Sequence, residues 1–178
     1  MPKPYFNNKD KVKEILMVDH AGEYGAQSIY RGQLAFTKNK EDKNIIKHML
    51  TQELEHLKYF TNEICAGKSK PTLLLPLWNK LGYLAGAISA IMGAKTSMLV
   101  TESIEEVIID HYQEQIEYLS KNESHPELLA KIKQFRNEEA EHIQIAMDHN
   151  SKNAMFYNTI SYMVKKICNI AIYLSKRI

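Results

Sequence analysis

Apolar residues recur at every third or fourth position along most of this chain, the spacing of one helix face. The pattern predicts a first helix from about Asp10 to Thr37, with Val18, Ile29 and Phe36 on its inner side. The polar stretch "KNKEDKN" is expected to close it. A second helix is predicted from about Lys43 to Ala66, with Leu50, Leu54, Leu57 and Ile64 turned inward and Gly67 as its C-cap. A third region stays helix-compatible from beyond Pro76 to about Leu119. At ~1.5 Å per residue, one helix of that length would outrun a small domain. A break is therefore expected near Gly86 to Gly93. "SHPE", Ser124 to Glu127, has the form of a capping box and opens a fourth helix that runs to about His149. A last helix covers about Ala154 to Lys176. No alternating run and no Asn-Gly or Asp-Gly hairpin turn is present, so the expectation is an all-α chain.

Glycines bunch in "HAGEYGA" of the first helix and "GYLAGAISAIMGA" of the third, where helix backbones can approach closely. The 178 residues, 44% hydrophobic and 25% charged, suit one folded domain with a real core. A net charge of +2 offers no strongly basic face, which argues against nucleic acid. Two distant cysteines, Cys65 and Cys168, give neither a disulfide framework nor a thiolate zinc site, and fit a reducing compartment. The N-terminal stretch has no signal-peptide core, and a Met1 start without a presequence points to a bacterial protein. The uncharged run Leu81 to Ala94 is 14 residues long, short of the ~20 that cross a bilayer.

Chemistry enters with "ELEH" and "EAEH". Glu53 and His56 stand three apart, as do Glu139 and His142. Residues at that spacing share a helix face, so each pair can reach one ion. Carboxylate and imidazole without thiolate suit iron or manganese. A di-metal site in a four-helix bundle takes Glu-x-x-His from two helices and one Glu from each of the other two. The first helix supplies Glu23, 30 residues before Glu53. The third supplies Glu102, Glu105 or Glu106, and Glu105 lies 34 residues before Glu139. The order Glu…Glu-x-x-His thus occurs twice, in two helix hairpins of about residues 10–66 and 77–149. Residues 1–178 are expected to form one domain around them, with the C-terminal helix at about 154–176. Singly, each acid reads as a solvated charge. Six in order against apolar faces would be costly without a cation to compensate them.

Among the other histidines, His48 and His125 read as surface, and His149 as a partner of its helix C-terminus. His20 reads as an outer hydrogen-bond partner or a structural residue. His111 and Tyr112, six and seven residues past Glu105, are near enough to supply a hydrogen bond to a ligand.

The stretches "DHAGEYGAQSIYRGQLAF", "QELEHLKYF", "IEEVIIDHYQEQI", "FRNEEAEH" and "AIYLSKRI" together resemble the demethoxyubiquinone hydroxylase family. These are ferritin-like di-iron monooxygenases of ubiquinone biosynthesis, and the resemblance runs from about Val18 to the C-terminus. It implies a ferritin-like four-helix bundle with a di-iron centre, plus extra apolar or amphipathic helices at the start of the third region and at the C-terminus. The family's iron ligands fall on Glu23, Glu53, His56, Glu105, Glu139 and His142, which selects Glu105 from the three glutamates. It implies that Glu53 and Glu139 bridge, with Glu23 and His56 on one ion and Glu105 and His142 on the other. His111 and Tyr112 match a His-Tyr pair beside the iron centre. Asn137 departs from an expected Asp at a position that is not a ligand.

The activity implied is O₂-dependent hydroxylation of a prenylated demethoxyubiquinol ring. It implies two iron ions per chain, O₂ as co-substrate, and electrons from the quinol or NADH. An isoprenoid tail brings the membrane surface into play. Two segments could meet it: "LLLPLWNKLGYLAGAISAIMGA", with Trp78 and Tyr83 near its start, and the last helix. Phe156, Ile160, Met163, Ile167, Ile170 and Leu174 line one side of that helix, while Lys165, Lys166, Lys176 and Arg177 lie elsewhere on it. The location implied is peripheral, on the cytoplasmic face of a bacterial inner membrane, or the matrix side of the mitochondrial one if organellar. An apolar face could also seat a quinone-delivering protein or a second copy of the chain. Two alternatives compete: a ferroxidase or peroxidase of the rubrerythrin kind, and a non-enzymatic helical lipid-binding protein whose acids are surface charge.

Overall fold

Six α-helices joined by short connections account for nearly all of the described residues, and none of these residues is in a strand. The computed structural model describes residues 8–123 and 125–178, with side chains from Lys11 onward. Helix α1 is Asn8–Phe36, α2 Lys40–Cys65, α3 Leu75–Ile91, α4 Ala94–Lys121, α5 Pro126–Asp148 and α6 Tyr157–Ser175. Four of them, α1, α2, α4 and α5, make a ferritin-like bundle. α3 lies along α1, and α6 lies along α4.

Local chemistry sets the helix ends. α2 begins at Lys40, earlier than the polar pattern suggested, because the Asn39 side chain accepts from the N–H groups of Glu41 and Asp42 at 2.7 and 3.2 Å. Most of "KNKEDKN" is thus the solvated first turn of a helix and not a loop. At its other end, Gly67 N–H donates to Ile64 and Lys68 N–H to Glu63, a Schellman closure with Gly67 at φ +74°. The long third region breaks at Gly93, whose φ of +118° strains any other residue. Ser124, expected as an N-cap, lies outside the described residues. His125 occupies the cap of α5 in the left-handed region, with Pro126 opening the helix.

Glycines do bring α1 and α3 together, with "HAGEYGA" taking part: a Cβ on Gly82 would stand 2.8 Å from the Gly25 carbonyl oxygen. A Cβ on Gly86 would stand 2.0 Å from the Ile29 carbonyl oxygen, and one on Gly32 would stand 2.1 Å from that of Tyr83. Gly22 and Gly25 have open space where a side chain would be.

Two apolar clusters fill the bundle. One holds Ile15, Leu16, Phe60, Leu119, Ile132 and Phe135, among others. The second holds Tyr30, Ile46, Met49, Met98 and Ala146. In all four bundle helices the acidic and histidine positions lie between these clusters in sequence. Two inner-face assignments fail: Phe36 is 44% exposed and Leu54 39% exposed. Met49 and Phe60 take the buried face of α2 instead.

Candidate metal centre

Between the two clusters the helices bring six residues to one place. Glu23 of α1, Glu53 and His56 of α2, Glu105 of α4, and Glu139 and His142 of α5 are all buried. One ligand atom from each of Glu23, Glu53, His56 and Glu139 lies within 4.8 Å of the others. The same holds for Glu53, Glu105, Glu139 and His142. Glu53 and Glu139 belong to both groups. Glu23 and His56 belong only to the first, Glu105 and His142 only to the second.

Both imidazoles turn Nδ1 inward. His56 Nδ1 is 3.1 Å from Glu139 and 3.7 Å from Glu23. His142 Nδ1 is 2.9 Å from Glu139 and 3.4 Å from Glu53. Yet both Nδ1 atoms, both Glu53 oxygens and one Glu139 oxygen are buried without a properly aligned hydrogen bond. Unsatisfied acceptors facing a common point are what a cation would satisfy. The oxygen and nitrogen donor set, free of thiolate, suits iron or manganese.

The electrostatics agree. Burial pushes the Glu53 carboxyl well above its usual range, and the charges of Glu139, Glu23 and Glu105 add to the push. Glu105 is raised to about 8, first by burial and then by Glu139. Burial acts upward on Glu139 too, but the facing imidazoles of His142 and His56 outweigh it and hold the carboxyl at about 2. Burial works to lower His56, but Glu139 and Glu23 lift it to about 12, and His142 is raised in the same way by Glu139. Protons thus hold the cluster together, and a cation would take their place.

Four outer residues orient this set. Tyr112 donates its hydroxyl to Glu23, and Tyr30 donates to Glu105 at 2.8 Å. His56 Nε2 meets Glu138 at 2.5 Å, and His142 Nε2 meets Gln52 at 2.9 Å. Tyr30, Gln52 and Glu138 were not singled out from sequence. Two signals were there: a Tyr seven residues after each single Glu, and a polar residue just before each Glu-x-x-His.

His111 does not reach the cluster. Its Nε2 meets the Gln115 amide at 2.9 Å and lies 3.7 Å from the buried Asp19. Burial, with help from Lys176 and Lys11, pushes its imidazole down to about 4. His20 is buried and stacks against Tyr24, with no partner for Nδ1. His48 and His125 are exposed, and His149 Nδ1 binds the Ile145 carbonyl at 2.7 Å. Of the three candidate glutamates Glu102, Glu105 and Glu106 on α4, only Glu105 enters the cluster. Glu102 accepts from Tyr157 of α6 at 2.8 Å, and Glu106 pairs with Lys165 of α6 at 2.5 Å.

Those two contacts pin α6 over a cavity of about 340 Å³. Glu23, Glu53, Glu105 and Glu139 line it, and its other walls are almost wholly apolar. α1 contributes Gly22, Gly25 and Ile29; α3 contributes Leu81, Ala85 and Ile88; α4 contributes Val100 and Ile104; α6 contributes Val164, Ile167 and Ala171. Trp78 Nε1 donates to Ser175 Oγ at 2.9 Å and joins α3 to α6 beside it. The outer faces of these two helices are also apolar. Leu77, Leu84, Ile88 and Ile91 of α3 and Met163, Ile167 and Ile170 of α6 are exposed. Among the described residues, no helix is long and apolar enough to cross a membrane.

Residues 10–175 match the family model of the ubiquinone biosynthesis protein COQ7. The chain is 42% identical over 169 residues to the mitochondrial NADPH-dependent 3-demethoxyubiquinone 3-hydroxylase of Homo sapiens, covering 94% of this chain and 78% of that protein. It is 38% identical over 168 residues to the 3-demethoxyubiquinol 3-hydroxylase of Rhodospirillum rubrum, with 94% and 78% covered. It is 34% identical over 179 residues to the mitochondrial 5-demethoxyubiquinone hydroxylase of Saccharomyces cerevisiae, with 92% and 77% covered.

Proposed function

Because this chain belongs to the family of the ubiquinone biosynthesis protein COQ7, we propose that it hydroxylates a demethoxyubiquinol ring with O₂. One observation carries this reading: a buried carboxylate and histidine cluster opens onto an apolar chamber. A ferroxidase has no use for such a chamber, and a lipid carrier has no use for the cluster.

Two iron ions fit the donor set. Glu53 and Glu139 would be shared by both, Glu23 and His56 would hold one, and Glu105 and His142 the other. Bound there, iron would supply the activation of O₂ and the storage of electrons. The chain does the rest. Glu138 and Gln52 accept from the two Nε2–H groups, which aims each Nδ1 lone pair inward. Tyr112 and Tyr30 hold Glu23 and Glu105 in place. The apolar walls bind the ring, keep bulk water away from the reacting carbon, and seat the first part of the isoprenoid tail. The rest of the tail leaves over the exposed apolar faces of α3 and α6.

In the balanced reaction, one oxygen atom enters a ring C–H bond and the other leaves as water. Two electrons and two protons are consumed. Relatives are named NADPH-dependent, whereas the resemblance alone implies the quinol or NADH as the source of electrons. The same apolar faces support peripheral attachment to the membrane that carries the quinone, bacterial inner or mitochondrial inner. They also leave room for a quinone-delivering protein or a second copy of the chain.

The test supplies ferrous protein with a demethoxyubiquinol and O₂ and measures ring hydroxylation by mass spectrometry. Hydroxylated product is expected. No product, with rapid ferrous oxidation into a mineral, would transfer the case to a ferroxidase.

A further inference from the structure

Gln52 and Glu138 each stand one residue before the Glu of a Glu-x-x-His pair. Each reaches the histidine of the other pair: Gln52 Oε1 lies 2.9 Å from His142 Nε2, and Glu138 Oε2 lies 2.5 Å from His56 Nε2. α2 and α5 therefore brace one another reciprocally. The geometry is symmetric, but the chemistry is not. His142 donates to a neutral amide, whereas His56 donates to a carboxylate. Gln134 Nε2 donates to the second Glu138 oxygen at 2.9 Å and fixes its orientation. The Glu138 side chain is 26% exposed, so water supports its charge.

A carboxylate acceptor makes a shorter, charge-assisted bond and sends more electron density into the imidazole than an amide can. It also adds a negative charge near any cation bound at Nδ1. We infer that Glu138 and Gln52 are positioning residues that make the two metal positions unequal, the ion on Glu23 and His56 being bound more tightly than the ion on Glu105 and His142. This rests on the di-metal reading above and goes beyond it, because the six inner residues alone are near-symmetric.

Anaerobic ferrous titration of the full chain by calorimetry tests it. The wild type is expected to bind two ions in steps about 10-fold or more apart in affinity. Glu105→Ala should keep the tighter step and Glu23→Ala the weaker. Glu138→Gln should weaken the tighter step about 10-fold and merge the two, and Gln52→Glu should strengthen the weaker one by a similar factor. Circular dichroism checks that each variant folds. If Glu138→Gln does not fold, Gln52→Glu decides alone, and no gain in its weaker step overturns the inference. Two equal steps in the wild type, or an unchanged Glu138→Gln isotherm, overturn it while leaving the di-metal reading intact. No ferrous binding at all overturns both.

Discussion

Tyr30 and Tyr112 exchange partners across the bundle. Tyr30 stands seven residues after Glu23 but donates to Glu105, and Tyr112 stands seven residues after Glu105 but donates to Glu23. Each hydroxyl thus ties the carboxylate of α1 to α4, or that of α4 to α1, at the level of the carboxylate and histidine cluster. All four groups are buried, so neither carboxylate can turn to water for a substitute.

Removing one hydroxyl should therefore loosen one ion without unfolding the chain. Tyr112→Phe is expected to weaken binding of the ion held by Glu23, and Tyr30→Phe of the ion held by Glu105, each by about 10- to 100-fold. Stability should change by about 1 kcal/mol, the net worth of one hydrogen bond. Ferrous titration and urea denaturation measure the two quantities separately. Unaltered affinity in both variants would make these tyrosines packing residues only.

The six inner residues could be read from the sequence because a rare pattern occurs twice in order, and helix geometry makes three-residue spacing point one way. The length of the third region required a break, and Gly93, where it falls, lies within the expected Gly86 to Gly93. What failed has a common cause. His111 cannot share the role of Tyr112, because adjacent helical residues lie about 100° apart around the axis. With Tyr112 on Glu23, His111 must face the Asp19 and Gln115 side. Leu54, next to Glu53, is turned outward by the same rotation. The outer partners Gln52 and Glu138 are not legible from spacing because each serves the opposite hairpin. Spacing along one helix says nothing about which helix crosses it.

The α1 and α3 contact predicts opposite outcomes for two glycines. Gly86→Ala places a methyl group 2.0 Å from the Ile29 carbonyl oxygen, so α3 must move off α1. A loss of about 1–3 kcal/mol is expected, the usual cost of overpacking. Gly25→Ala meets nothing within 4 Å and should gain up to about 1 kcal/mol from helix propensity. Its methyl group enters the cavity, so KM for the quinol should rise while the fold holds. Denaturant midpoints and steady-state kinetics check both. Equal stability losses would mean that the helices are not in backbone contact at Gly86.

Metal should also stabilise the chain. At a free concentration of 100 times Kd, one bound ion adds about 2.7 kcal/mol. For a chain of this size, that raises Tm by roughly 5–10 °C. Glu139→Ala removes a carboxylate common to both ion groups, and the shift should vanish while helix content persists. Thermal scans of the anaerobic protein with and without ferrous ion decide the matter. An equal shift in Glu139→Ala would place the ion elsewhere.

His111 predicts the acid side of the stability curve. Its imidazole is held down at about 4 by burial, with Lys176 and Lys11 adding to the effect. The unfolded imidazole titrates near 6.5. Between those values the unfolded chain binds the extra proton, so stability rises with pH through this window. Above about pH 6.5 both states are neutral at this residue and the penalty is gone. Near pH 4 it reaches about 3 kcal/mol at most. Asp19, Glu14, Glu114, Lys11 and Lys176 surround the imidazole, so the effect must be isolated by difference. His111→Asn should lose less stability than the wild type between pH 7.5 and 4.5, measured by urea denaturation. The gap should come close to about 2.5 kcal/mol at pH 4.5 only if the Asn side chain stays buried against Gln115. Identical losses in both proteins would show that His111 takes up its proton as easily in the fold as in the open chain.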